Sequence, residues 1–153
     1  MRKLIIAVAA ALIVAAPAAR AETSVLVFGF SKHMTHNYAT KYNEFNYGLG
    51  LELNREGSGW LVGGFALKDS IDQVGWAAYG GYRLRYDFAP NWHIETTLRA
   101  GVLRDAYYTG PAALPSIGIG WKNVTIEATV IPPISMGNKG SEMTAVVWAR
   151  VRF

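Results

Sequence analysis

Strict alternation at the carboxyl end restricts what this chain can form more than any other feature. In AVVWARVRF (145–153), Ala145, Val147, Ala149, Val151 and Phe153 fall on one side, and Val146, Trp148, Arg150 and Arg152 on the other. A period of two belongs to a strand, whose successive side chains point to opposite faces of a sheet. A small, apolar face backed by arginines suits a strand with lipid on one side and a polar lumen on the other. The pattern recurs. NYGLGLEL (46–53) sets Tyr47, Leu49, Leu51 and Leu53 against Asn46, Gly48, Gly50 and Glu52. WHIETTLRAGV (92–102) sets Trp92, Ile94, Thr96, Leu98, Ala100 and Val102 against His93, Glu95, Thr97 and Arg99. In NVTIEATVI (123–131), Val124, Ile126, Ala128 and Val130 oppose Thr125, Glu127 and Thr129.

Segments of this kind lie near 23–32, 45–54, 59–68, 74–86, 91–103, 112–121, 122–131 and 143–153. Each has about the 9–11 residues that a tilted membrane strand requires. The third and sixth are apolar on both faces, which leaves their facing open. Turn residues interrupt the chain at REGSG (55–59), FAPN (88–91), WKN (121–123) and MGNKGS (136–141). An even number of strands lets a sheet close, and closure removes its edges. The expected fold is therefore all-β, an eight-stranded antiparallel transmembrane barrel of the outer membrane. Its inward set holds Glu52, Glu95 and Glu127 against Arg99, Arg150 and Arg152. An eight-stranded barrel has room only for side chains, and charges buried there must be paired. Tyr47, Trp60, Trp92, Trp121 and Phe153 stand near strand ends, where aromatic girdles belong. A soluble sandwich with its charges solvated on one face is the competing reading, disfavoured by the uniformly apolar opposite face.

The amino end reads as a secretory signal over residues 1–21: Arg2 and Lys3, an apolar run from Leu4 to Ala16, and Ala19-Arg20-Ala21 as a cleavage site. That run is too short to span a bilayer as a helix, which takes about 20 residues. The mature chain would then be one barrel domain, 22–153, of 132 residues. Losing Arg2, Lys3 and Arg20 leaves 12 of the 15 basic residues against 11 acidic ones, so basicity gives no support for a nucleic-acid partner. The chain has no cysteine, which excludes disulfides, thiolate metal sites and a cysteine nucleophile. Phosphate loops, metal-spaced His/Asp/Glu sets and the G-x-S-x-G elbow are also missing, so no cofactor or metal is expected.

His33 follows the first strand, and Asp69 and Ser70 follow the third. With the 55–59 turn on the periplasmic side, the loops after strands 1, 3, 5 and 7 share the outer rim. A hydroxyl, a base and a group that orients the base are the elements of acyl-transfer catalysis. Residues that merely cap a strand are the plainer account of their spacing. His93 lies within a strand and reads as a satisfied lumen histidine.

From Gly59 to Phe153 the chain resembles the lipid A palmitoyltransferase (PagP) family of outer-membrane barrel enzymes. The resemblance is carried by GWLVGGFALKDS (59–70), AAYGGY (77–82), RAGVLRDAYY (99–108), ALPSIGIGWKNVTIEATVIP (113–132) and AVVWARVRF (145–153), with YNEFNYGLGLEL (42–53) as the best earlier match. It implies transfer of a palmitoyl chain from a membrane phospholipid to lipid A by a monomer in the Gram-negative outer membrane. It assigns Asp69 and Ser70 directly, and the histidine to His33, with His36 as the alternative. In this scheme His33 is general base, Ser70 the polar group at the reaction centre and Asp69 the orienting carboxylate. The glycine at the floor of the family's acyl pocket falls, with one gap in the alignment, on Ala78, whose methyl group would shorten the donor chain. Arg104-Asp105 matches a pair read either as a lipid headgroup contact or as a rim salt bridge. Pro115, at the start of the sixth strand, and Pro132-Pro133, after the seventh, match prolines beside which lipid enters the family's barrels sideways, or they simply end strands. The family's amphipathic N-terminal helix has no counterpart after the expected cleavage site. A non-enzymatic barrel with a structural or adhesive role, and a lipid A deacylase or other lipid hydrolase, are the rival functions.

Overall fold

A computed structural model describes residues 21–34, 42–106, 108–132, 135–136, 139–140 and 143–153; the expected signal segment apart from Ala21, and His36, lie outside them. Ten strands follow in chain order: β1 Ala21–His33, β2 Phe45–Arg55, β3 Trp60–Lys68, β4 Val74–Ala89, β5 Trp92–Arg104, β6 Thr109–Trp121, β7 Val124–Ile131, β8 Ser135–Met136, β9 Lys139–Gly140 and β10 Thr144–Arg152. Eight of them close an antiparallel barrel in the order β1-β10-β7-β6-β5-β4-β3-β2, and β8 and β9 form a separate small ribbon. The closing seam pairs Ser24 with Arg152 and Val25 with Val151. Left-handed backbone at Gly57, Asn91 and Lys122 marks the three tight turns at one end. The longer loops gather at the other end, called the rim below.

Alternation decides what each strand shows to which side. Leu49, Leu51, Leu84, Leu98, Ile117 and Ile126 are exposed on the outer wall, as are Tyr47, Trp60, Trp92, Trp121 and Phe153 near the ends. A continuous apolar exterior is costly in water and suits a bilayer. The facing that the sequence left open in β3 and β6 is resolved: Leu61, Gly63, Phe65 and Leu67 point inward from β3, and Ala112, Leu114, Ser116, Gly118 and Gly120 from β6.

The lumen is layered. Towards the tight-turn end it is filled by ions. Glu52 receives Arg99 Nε at 2.6 Å, and Arg83 also pairs with it. Glu127 receives Arg150 Nε at 2.9 Å and lies 2.9 Å from Arg99 Nη2, while Glu95 pairs with Arg150. Three carboxylates thus face three guanidiniums, all buried, and the interior carries no net charge. The composition of this plug corrects the expectation. Arg152 is excluded, half-buried at the end of β10 and 3.4 Å from Glu22. Arg83 of β4 takes its place, bonded also to Asn54 Oδ1 (2.9 Å) and Thr97 Oγ1 (3.2 Å). The signal was legible in YRLRY (82–86), where Tyr82, Leu84 and Tyr86 face out and Arg83 is buried. Close approach explains one glycine: a Cβ on Gly120 would lie 2.2 Å from His93 Nε2. Above the ions, Leu26, Phe28, Leu61, Tyr79 and Trp148 form an apolar layer. Arg99 lies under it, 5.4 Å from the Trp148 ring and 5.9 Å from the Tyr79 ring.

Candidate active site

A cavity of about 570 Å³ occupies the rim half of the lumen, within the range of about 300–1,000 Å³ usual for small-molecule sites. Phe28, Phe65, Tyr79, Leu114 and Trp148 line its deep part, and His33, Asp69 and Ser70 line its mouth. The three residues come from separate elements. Asp69 and Ser70 open the turn between β3 and β4, whereas His33 is the last residue of β1.

A break in alternation aims His33. Ser24, Leu26 and Phe28 face inward, a parity that would send Phe30 into the lumen and His33 towards lipid. The β1 register shifts between Phe28 and Phe30 against both neighbouring strands. One extra residue in a bulge reverses the facing beyond it. Ser31 is therefore buried, Phe30 is exposed, and His33 turns into the cavity. The imidazole stacks on the Tyr42 ring, 4.0 Å between centroids and 8° from parallel.

Asp69 is held by backbone. Its Oδ1 accepts the amides of Ile71 (3.0 Å) and Gln73 (2.8 Å), and its Oδ2 accepts that of Ala106 (3.1 Å). These bonds fold the β3–β4 turn and tie it to the β5–β6 loop across the rim. The hydrogen bonds seen at Asp69 all come from backbone amides, and they hold the turn that carries Ser70. Ser70 accepts the Asn43 amide at its carbonyl, 2.7 Å. Among the described residues, no hydrogen bond engages its hydroxyl.

Ala78 is a second correction. Strand alternation puts it on the outer wall, exposed, while Ala77 and Tyr79 line the cavity. The gap needed to align it with the family's pocket glycine shifted the facing by one residue. Arg104 is exposed and makes no ion pair among the described residues; Asp105 Oδ1 accepts the Tyr108 amide at 2.7 Å. The two do not form the anticipated salt bridge, yet both lie at the cavity mouth. His93 is buried with Nε2 3.0 Å from Thr125 Oγ1, below the cavity.

The wall has an opening. β6 pairs with β7 only from Ile117–Ala128 to Trp121–Val124. Beyond that, Thr109–Ser116 and Thr129–Ile131 run without a ladder between them, and Thr129 Oγ1 donates to the Pro115 carbonyl. Pro111 and Pro115 supply no N–H. Pro115 was expected at a strand start; β6 begins earlier, at Thr109, and Pro115 sits within it, facing outward. Pro132 follows β7, and Pro133 lies outside the described residues. The cavity reaches this unpaired stretch through Pro111, Ala112, Leu114, Pro115, Thr129 and Val130. Sequence reasoning passed over two buried polar residues of the same cavity, Ser31 and Asn46. Asn46 had been placed inward by alternation but given no task, and only the bulge brings Ser31 beside it.

No protein-family model matches the chain. Among solved structures, the Yersinia pestis outer membrane protein Ail in a phospholipid bilayer nanodisc is similar at 14% identity and a TM-score of 0.43, over 88% of this chain and 100% of that one. Ail from the same organism in complex with the heparin analogue sucrose octasulfate gives the same identity and TM-score over 88% and 99%. Sequence comparison finds the lipid A acyltransferase PagP of Sodalis glossinidius (strain morsitans), 33% identical over 124 residues, which are 74% of this chain and 62% of that protein. The chain thus spans under two thirds of the length of the curated relative it matches. The chain is thus similar to that lipid A acyltransferase over most of its own length, and it forms an eight-stranded closed barrel.

Proposed function

We propose that this protein is an outer-membrane acyltransferase that moves an acyl chain from a phospholipid to lipid A or a related lipid acceptor. The observation that carries the reading is the convergence of His33, Asp69 and Ser70, from two rim elements, on the mouth of one largely apolar cavity. An acyl chain is the ligand such a cavity fits. The unpaired stretch between β6 and β7 lets a lipid tail slide in from the membrane without leaving it, which spares the cost of passing its methylenes through water, about 0.8 kcal/mol each. His33 takes the proton of the attacking hydroxyl and returns it to the leaving lysophospholipid oxygen. Ser70 supplies a hydroxyl at the ester, and Asp69 holds its turn in place. Phe65, Tyr79 and Leu114 bound the cavity below and limit chain length, to palmitate or somewhat shorter.

The test is expression in a Gram-negative host lacking such an enzyme, with lipid A read by mass spectrometry. One acyl chain is gained with the native protein, and the gain disappears in Ser70→Ala and His33→Ala. Loss of a chain instead would identify a hydrolase. An unchanged profile with correctly inserted barrel would reject the enzyme reading in favour of a structural or adhesive barrel.

A further inference from the structure

The Ser31–Asn46 pair is polar, buried and placed in an otherwise apolar stretch of the cavity wall, with Ser31 7% and Asn46 5% exposed. A buried amide in such surroundings is costly unless its donors have acceptors. Ser31 Oγ donates to Asn46 Oδ1, which occupies the amide oxygen. Among the described residues no acceptor meets Asn46 Nδ2. Nor is that nitrogen sealed into the wall in the manner of Trp148 Nε1, which is fully buried without a partner. The two N–H groups of Asn46 therefore open on the cavity.

Their position is specific. β2 lies between β1 and β3. Gly48 is level with Leu67, and the same register carried two residues outward sets Asn46 beside Asp69. On the β1 side Asn46 is bonded to Ser31, which precedes His33 on the same face by two residues, about 7 Å. Asn46 thus stands between the histidine and the Asp-Ser turn, one step deeper than His33 and level with Asp69. The backbone amides of Ile71, Gln73 and Ala106 all bond to Asp69 and do not serve a ligand.

We infer that Asn46 is a catalytic residue, the donor that holds the carbonyl oxygen of the donor ester as it becomes an oxyanion; this rests on the acyl-transfer reading above. The acceptor hydroxyl attacks the ester carbon and forms the new C–O bond, its proton passing to His33. The carbonyl π pair moves onto oxygen, where Asn46 Nδ2–H receives it. Collapse restores the carbonyl, breaks the bond to the glycerol oxygen, and His33 protonates that leaving oxygen. A donor already oriented before the reaction, in a largely apolar cavity, stabilises the transition state with no reorganisation. Ser31 is a positioning residue that fixes the amide.

The experiment measures kcat and KM separately for native protein, Asn46→Ala, Asn46→Asp, Asn46→Gln and Ser31→Ala, using a defined diacyl phospholipid and lipid A in detergent. Insertion is checked by far-UV circular dichroism and the urea midpoint. Asn46→Ala and Asn46→Asp are expected to lose about 10²–10³ in kcat, the size seen for one oxyanion donor, with KM within about threefold. Asn46→Gln recovers part of the loss, and Ser31→Ala loses less than Asn46→Ala. Asp replaces Asn at nearly equal volume and keeps the test valid should Ala fail to fold. The inference is overturned alone if native protein is active and folded Asn46→Asp or Asn46→Ala keeps kcat within about threefold, or changes only KM. Inactive native protein would instead remove the acyl-transfer reading itself, and the inference with it.

Discussion

Substituting Arg99 with leucine tests whether the lower lumen is held by charge balance. Arg99 touches Glu52 at 2.6 Å, Glu127 at 2.9 Å and Ser116 Oγ at 2.8 Å. Without it, Glu52 keeps Arg83 and Glu127 keeps Arg150. Each carboxylate thus retains a partner, but three negative charges then face two positive ones. One uncompensated buried charge is the cost, about 3–5 kcal/mol when a buried pair is broken. The double variant Arg99→Leu/Glu52→Leu restores two against two in an apolar surround. Replacing both members of a buried pair with hydrophobic residues is often neutral. What remains is the Tyr79 hydroxyl, which donates to Glu52 at 3.1 Å and would lose its acceptor, about 1–3 kcal/mol, and Arg83, which loses Glu52 but keeps Glu95 at 3.5 Å. The double variant should therefore recover about half or more of the single variant's loss. Urea titration of the barrel in micelles, followed by tryptophan emission, gives both free energies if the slope with denaturant is unchanged. A single variant within about 1 kcal/mol of native, or losses that simply add, would refute charge balance as the organising principle.

Three further outcomes follow from local geometry. Gly120→Ala places a Cβ 2.2 Å from His93 Nε2 and 2.7 Å from Thr125 Oγ1, so it should destabilise by about 1–3 kcal/mol, while Gly29→Ala, with open space around it, should stay within about 0.5 kcal/mol by the same titration. Asp69→Ala releases three amides, and hydrogen exchange should accelerate at Ile71, Gln73 and Ala106 while Asn54 and Thr97, in the plug, are unaffected; uniform acceleration would contradict a local clamp. Leu114→Ala deepens the cavity and should shift the transferred chain to greater length by mass spectrometry of the product; an unchanged length would show that Leu114 does not bound it.

Much of the barrel was legible because lipid and lumen impose opposite demands on alternate residues. Strand positions, the inward Glu52, Glu95 and Glu127, and the outward aromatics all follow from that single rule. It failed at β3 and β6, which are apolar on both faces and offer no contrast to read. Arg152 was misplaced because alternation gives a residue's side of the sheet but not its depth along the barrel. Arg83 lay in plain view within YRLRY and was overlooked. Ala78 illustrates the hazard of a single gap, since a shift of one residue exchanges cavity for membrane.

The candidate site divides along the same line. By itself the sequence determined that a histidine would follow the first strand and that Asp69 and Ser70 would follow the third, because turn residues and strand lengths are local properties. Only the tertiary structure decided that His33 faces the cavity. The β1 bulge between Phe28 and Phe30 is a mismatch in pairing with β2 and β10, and no pattern within β1 alone records it. Tertiary structure likewise decided that Asp69 clamps two loops, since the Ala106 amide comes from 37 residues away, and that Ser31 meets Asn46. Alternation is written into one strand, whereas register is a property of two, and the chemistry at this rim depends on register.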